Sequence, residues 1–143
     1  MDKGLNKFNL ILPNDWVDQS AYFFQGPEDD GVYHNLTLLI DHTPDSDDVK
    51  SYANPRMEQT ISAMGGAEVV KEEERQHPSG AQALEVVYKS VPQDGKAVFR
   101  KQIFLLVGDT AYTFQADFTK KTMKTIGLQV NQIIDSFIPE GSG

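Results

Sequence analysis

Apolar and polar residues alternate over most of this chain, and the period lengthens to a helical one in two places. Phe8, Leu10 and Leu12 alternate with Asn9, Ile11 and Pro13, which predicts a strand stopped by Pro13-Asn14-Asp15. Ala21–Phe24 predicts a second short strand, and Gln25–Gly31, with Gly26-Pro27 and an acidic run, a polar loop. Leu36, Leu38 and Ile40 mark a third strand. Val49, Tyr52, Met57, Ile61 and Met64 then follow helical spacing up to Gly65-Gly66, a natural helix stop, with Ser46 or Asp47 as N-cap candidates. Pro55 either kinks this helix or starts its main segment with Asn54 as the cap.

Further strands are expected after this helix. Ala67–Gln76 carries Lys71-Glu72-Glu73-Glu74-Arg75 and reads as a solvated edge strand. Leu84, Val86 and Tyr88 mark the next, and Gln93-Asp94-Gly95-Lys96 is a hairpin signal. Ala97–Val107 closes on the continuous run Ile103–Val107, as in a central strand covered on both faces. Tyr112, Phe114, Ala116 and Phe118 give the clearest alternation in the chain. Met123, Ile126, Val130, Ile133, Ile134 and Phe137 form one helical face, stopped by Pro139. The order is βββ-α-ββββ-α. It predicts an α+β domain over residues 1–143, with its core at about 7–139, in which a twisted antiparallel sheet of about six to seven strands is flanked by two main helices.

Parity along the strands raises a question about coverage. If Leu10, Tyr22, Leu38, Val86, Leu105 and Phe114 share one sheet face, then Ile11, Phe23, Leu39, Val87, Phe104 and Leu106 lie on the other. A second helix could cover that face. Alternatively, part of it is open and binds an apolar partner.

Composition narrows the chemistry. With 13 Lys and Arg against 21 Asp and Glu the net charge is −8, and no basic block is present, so nucleic acid is not an expected partner. The longest apolar run, Ile103–Val107, is far short of the ~20 residues of a membrane-spanning helix, so no stable membrane insertion is expected. The absence of cysteine excludes disulfides, thiolate metal sites and cysteine nucleophiles. The start, Met1–Lys7, lacks the basic and apolar regions of a secretory signal, which predicts a cytoplasmic protein. A mature periplasmic fragment would read the same way.

No nucleotide-binding, serine-hydrolase or zinc-protease motif occurs, so neither an enzyme nor a bound cofactor is expected. His34, His42 and His77 are not at metal-ligand spacing and read as surface histidines. Asp45, Asp47 and Asp48, like Glu28, Asp29 and Asp30, lack calcium-loop spacing and read as helix capping and a solvated loop. Glu72, Glu73, Glu74 and Glu85 could approach one another across an edge pair, where a solvated edge is the simplest reading.

Several blocks resemble the DcrB-like family. They are Phe8–Ser20 with Leu12-Pro13, Trp16 and Asp18-Gln19-Ser20; Asn35–Ile40 followed by Pro44 and a Tyr52-bearing helix; Gln102 with Phe104-Leu105-Leu106; and Ile133–Phe137. The resemblance covers about Phe8–Pro139 and implies the twisted antiparallel sheet of PsbP and Mog-type proteins. One branch, the Eag-type chaperones of type VI secretion, implies a cytoplasmic, often dimeric protein that holds the apolar N-terminal helices of an effector on a sheet face. Another branch implies a periplasmic or envelope accessory domain. On the chaperone reading the expected client contacts are Phe23, Leu39, Phe104 and Leu106, with Gln102 or Gln115 meeting a client polar group.

Overall fold

The computed structural model describes residues 10–17, 19–29, 31–93 and 95–139. Their elements are β1 (Gln19–Asp29), β2 (Val32–Asp41), α1 (Val49–Ala63), β3 (Glu68–Gln76), β4 (Gln82–Ser90), β5 (Val98–Val107), β6 (Thr110–Phe118) and α2 (Ile126–Asp135). The six strands form one sheet in the order β1-β2-β6-β5-β4-β3, antiparallel throughout. After the β1–β2 hairpin, α1 carries the chain to the far edge. The meander β3–β6 then returns until β6 pairs with β2. The fold is α+β with two helices on an antiparallel sheet, as the alternation predicts.

Each helix packs on one face of the sheet. Under α2 lie Leu36, Leu38, Ala83, Ile103, Leu105, Phe114, Ala116 and Phe118, closed by Ile126, Val130 and Ile134. Under α1 lie Leu84, Val86, Tyr88, Phe104, Leu106 and Ala111, closed by Val49, Tyr52, Ala53 and Met57. β5 runs through the middle and is buried from Lys101 to Leu106, so both of its faces are covered. Each fully buried Leu- or Phe-sized side chain contributes roughly 1.5–3 kcal/mol.

Local chemistry accounts for the helix ends. Asp48, rather than Ser46 or Asp47, caps α1 by accepting from the Ser51 N–H at 3.0 Å. Pro55 sits inside α1, which starts a turn and a half before it, so the alternative start at Asn54 is not used. At the other end the Gly66 N–H donates to the Ile61 carbonyl at 2.8 Å, with Gly65 and Gly66 at positive φ of 78° and 96°.

Four expectations need correction. First, the strand around Phe8–Leu12 is absent over Leu10–Leu12, where the chain is irregular and exposed; Phe8 and Asn9 lie outside the described residues. Alternation makes a strand only where a neighbour supplies ladder bonds and cover. Second, most of the loop expected at Gln25–Gly31 is strand. β1 continues to Asp29 by a bulge between Gln25 and Glu28, which accommodates Pro27 and its missing N–H. Third, Val86 faces α1 and Val87 the opposite side, because Val86 pairs with Gln102 and Val87 with Lys101. Fourth, two of the three histidines are buried. His77 donates from Nε2 to the Ile134 carbonyl at 2.7 Å, closing the end of α2, while its Nδ1 accepts from the Ser79 N–H. His34 is buried on β2.

Candidate functional site

A helix is about 10 Å wide and strands lie about 4.8 Å apart, so one helix covers only two or three of six strands. α1 lies over β4 and β5. On its face both flanks of the sheet are therefore uncovered, and they differ in chemistry. The β3 flank presents Glu72 and Glu74, paired opposite Val86 and Leu84. The β1–β2 flank presents Ala21, Phe23, Thr37 and Leu39, bordered by Gln19, Gln25, Asn35 and Asp41, with Phe23 75% and Leu39 44% exposed.

Between this apolar flank and α1 runs a groove of about 710 Å³. Tyr52, Pro55, Arg56 and Gln59 form its helical wall, Leu39, Thr113 and Gln115 its floor, and Val17, Gln19 and Asp41 one end. Its polar residues are tied into place. The Tyr52 hydroxyl donates to Asp41 at 3.0 Å, and burial together with that carboxylate pushes its pKa up to about 12. The Arg56 guanidinium stacks 3.7 Å from the centre of the Tyr52 ring and pairs with Asp41 and Asp45, each at 3.6 Å.

A second polar chain crosses the floor. Tyr88, pushed up to about 12 by burial, donates to Gln102 Oε1 at 2.5 Å. Gln102 Nε2 then donates to Thr60 Oγ1 at 2.9 Å and to Gln115 Oε1 at 2.8 Å. Gln102 thus spends its carbonyl and both amide hydrogens internally. Gln115 has its oxygen held and its own NH₂ at the groove.

All six expected contact residues share this face, in two groups. Phe23 and Leu39 stand on the uncovered flank, and Gln115 lies at the floor between flank and helix. Phe104, 1% exposed and edge-on to Tyr52 at 6.4 Å, is core, as is Leu106. Gln102 is buried and saturated. The expectation that Phe104 and Leu106 form an open surface is corrected, because α1 lies over them.

The carboxylates of the edge pair have a structural part. Glu85 is buried on the α2 face, with Lys71 at 3.1 Å, Arg75 at 3.3 Å and Lys101 at 3.5 Å. Burial alone would raise its pKa, but Lys101, Lys71 and Arg75 outweigh it and hold the carboxyl below the usual range. Burial conversely lowers the pKa of Lys101. Among the described residues, no three histidine or acidic side chains come together as metal ligands, and no helix is long and apolar enough to cross a membrane.

The fold is PsbP-like. A Pseudomonas aeruginosa protein of unknown function, PA94, superimposes with TM-score 0.74 at 16% identity, over 90% of this chain and 89% of that one. Cyanobacterial PsbP from Synechocystis superimposes with TM-score 0.55 at 11% identity, over 90% and 96%. No family model matches the chain, and no curated protein matches it.

Proposed function

We propose that this protein is a non-enzymatic chaperone or adaptor that holds an apolar or amphipathic helix in the groove between α1 and the β1–β2 flank. One observation carries it: the flank that neither helix covers exposes Phe23 and Leu39, whereas the opposite flank presents Glu72 and Glu74. A client helix would lay its apolar stripe on Phe23 and Leu39 and run alongside α1. Gln115, oriented by Gln102, would donate to a client side chain or a frayed carbonyl. Arg56 and Asp45 would give the groove a charged rim.

The resemblance to the Eag-type branch of the DcrB-like family supplies the client. It is the apolar N-terminal helices of a type VI secretion effector, held in the cytoplasm by a protein that often dimerises. The net charge of −8 suits this role, since it keeps a protein with an apolar face soluble.

The test is a photo-crosslinking amino acid placed at Phe23 or at Leu128 of the full-length protein in its native cell. Leu128 is an exposed apolar residue on α2, on the far side of the sheet. Crosslinks from position 23, and not from 128, to an effector's apolar N-terminal segment are expected. Equal crosslinking from both positions, or recovery of the protein only from the periplasm, would overturn the reading.

A further inference from the structure

The chain leading into β1 is apolar and uncovered. Of the eight residues Leu10–Val17, five carry large apolar side chains: Leu10, Ile11, Leu12, Trp16 and Val17. All five are exposed, Ile11 at 97% and Trp16 at 65%, and none belongs to either core. Asp15 is the one charge among the eight. Contiguous exposed apolar surface on a soluble domain marks a contact site. Other exposed apolar residues, such as Val70, Val91 and Leu128, stand singly along the chain.

Place separates this segment from them further. Val17 and Gln19 form one end of the groove between α1 and the β1–β2 flank, so segment and groove are continuous. The Trp16 N–H donates to the Pro13 carbonyl at 3.1 Å, a turn that reverses the chain between Leu12 and Val17. The groove has a helical wall on one side only, from Tyr52, Pro55, Arg56 and Gln59. β1 is the sheet edge, so among the described residues no further strand or helix walls the other side. A helix seated there would keep its outer side in water. The reach from Val17 back to Leu10 is at most about 25 Å, and a helix with its side chains is about 10–12 Å across. The segment is long enough to pass over such a helix.

We propose that Leu10–Val17 is a strap that closes over the helix held in the groove, with Leu10, Ile11, Leu12 and Trp16 packing on the side that faces away from the sheet. The proposal rests on the groove reading above and narrows its client. A helix with one apolar stripe needs only the floor and the α1 wall. A helix that is apolar all round, as a membrane-spanning one is, needs its outer side covered as well. The strap supplies that cover, so it selects the second kind.

Two lysine-flanked synthetic helices of equal length and charge test this against the full-length protein. One carries leucine on a single stripe and glutamine elsewhere; the other is leucine and alanine all round. Trp16 is the only tryptophan of the chain, so its emission reports on the strap. Binding of the all-round helix should shift that emission to the blue and shield it from acrylamide. Trp16→Ser with Ile11→Ser, both at exposed positions, should melt like the native protein. It should bind the all-round helix at least about tenfold more weakly and the striped helix within about twofold of native. Phe23→Asp with Leu39→Asp should weaken both helices. An unmoved Trp16 with the all-round helix bound, or native affinity in the strap variant, would overturn the strap and leave the groove reading standing. Native affinity of both helices for the Phe23→Asp, Leu39→Asp variant would overturn the groove reading, and closure over it as well. Trp16 already shielded before any helix is added would also overturn the proposal: shielding independent of protein concentration assigns the strap to its own groove, and shielding that rises with concentration to a second copy.

Discussion

Phe23 and Glu74 stand on the same sheet face, one near each edge, and neither lies under a helix. The β3 edge meets water with Glu72 and Glu74, and Lys50 of α1 reaches 3.8 Å from Glu72. The β1 edge meets it with Phe23. Charge on an edge strand is an ordinary protection against unwanted pairing. An exposed phenylalanine near an exposed leucine at the side of a large groove offers no such protection. Two flanks on the same face with different chemistry show that their position beside α1 does not by itself dictate composition. The apolar flank is suited to being covered by something else.

That contrast can be broken by substitution, beginning where the effect is largest. Phe104→Asp with Leu106→Asp places two carboxylates in the core under α1. It should cost more than about 4 kcal/mol and abolish cooperative unfolding in a thermal melt. Glu85→Gln should come next, at about 3–5 kcal/mol in denaturant unfolding, because Lys101 is left buried without its counter-charge. His77→Ala removes the donor to the Ile134 carbonyl and should cost about 1–3 kcal/mol, with amide exchange accelerating first in α2. Phe23→Asp with Leu39→Asp should be the mildest, within about 0.5 kcal/mol of the native protein per site, while binding of an apolar dye falls. If that pair unfolds the protein as the core pair does, the two regions do not differ as described.

Acid should act through the charged side of the fold. Glu85 has a folded pKa held below its unfolded value, so the stability it contributes is fully present above about pH 4.3 and is lost as pH falls through the lowered value. Unfolding free energy measured from pH 6 to pH 3 should therefore fall more steeply for the native protein than for Glu85→Gln.

Alternation made the fold legible wherever one face of a strand was polar, as in β6 and β2, and the run Ile103–Val107 marked β5 as central. It failed at β4. Val86-Val87-Tyr88 has no polar member to tell the faces apart, and only register against β5 assigns them. The same limit governs the site. Parity put Phe23, Leu39, Phe104 and Leu106 on one face, where they are, together with Val87, which is on the other. Which of them α1 covers depends on how a helix crosses from β2 to β3, and the sequence pattern does not carry that. Gln102 read as a free polar group because its partners come from α1, β4 and β6. His34 read as a surface residue at a strand end. The available signal was Gly26-Pro27 between apolar strand residues, which marks a bulge as readily as a loop.

The most direct test of the central claim is the affinity of a labelled peptide, taken from the apolar segment crosslinked at position 23, for three proteins followed by fluorescence anisotropy. The native protein and Leu128→Asp should bind it equally. Phe23→Asp with Leu39→Asp should bind at least about tenfold more weakly while melting like the native protein, since each lost anchor is worth roughly 1.5–3 kcal/mol when buried. Unchanged affinity in that folded double variant would contradict the account.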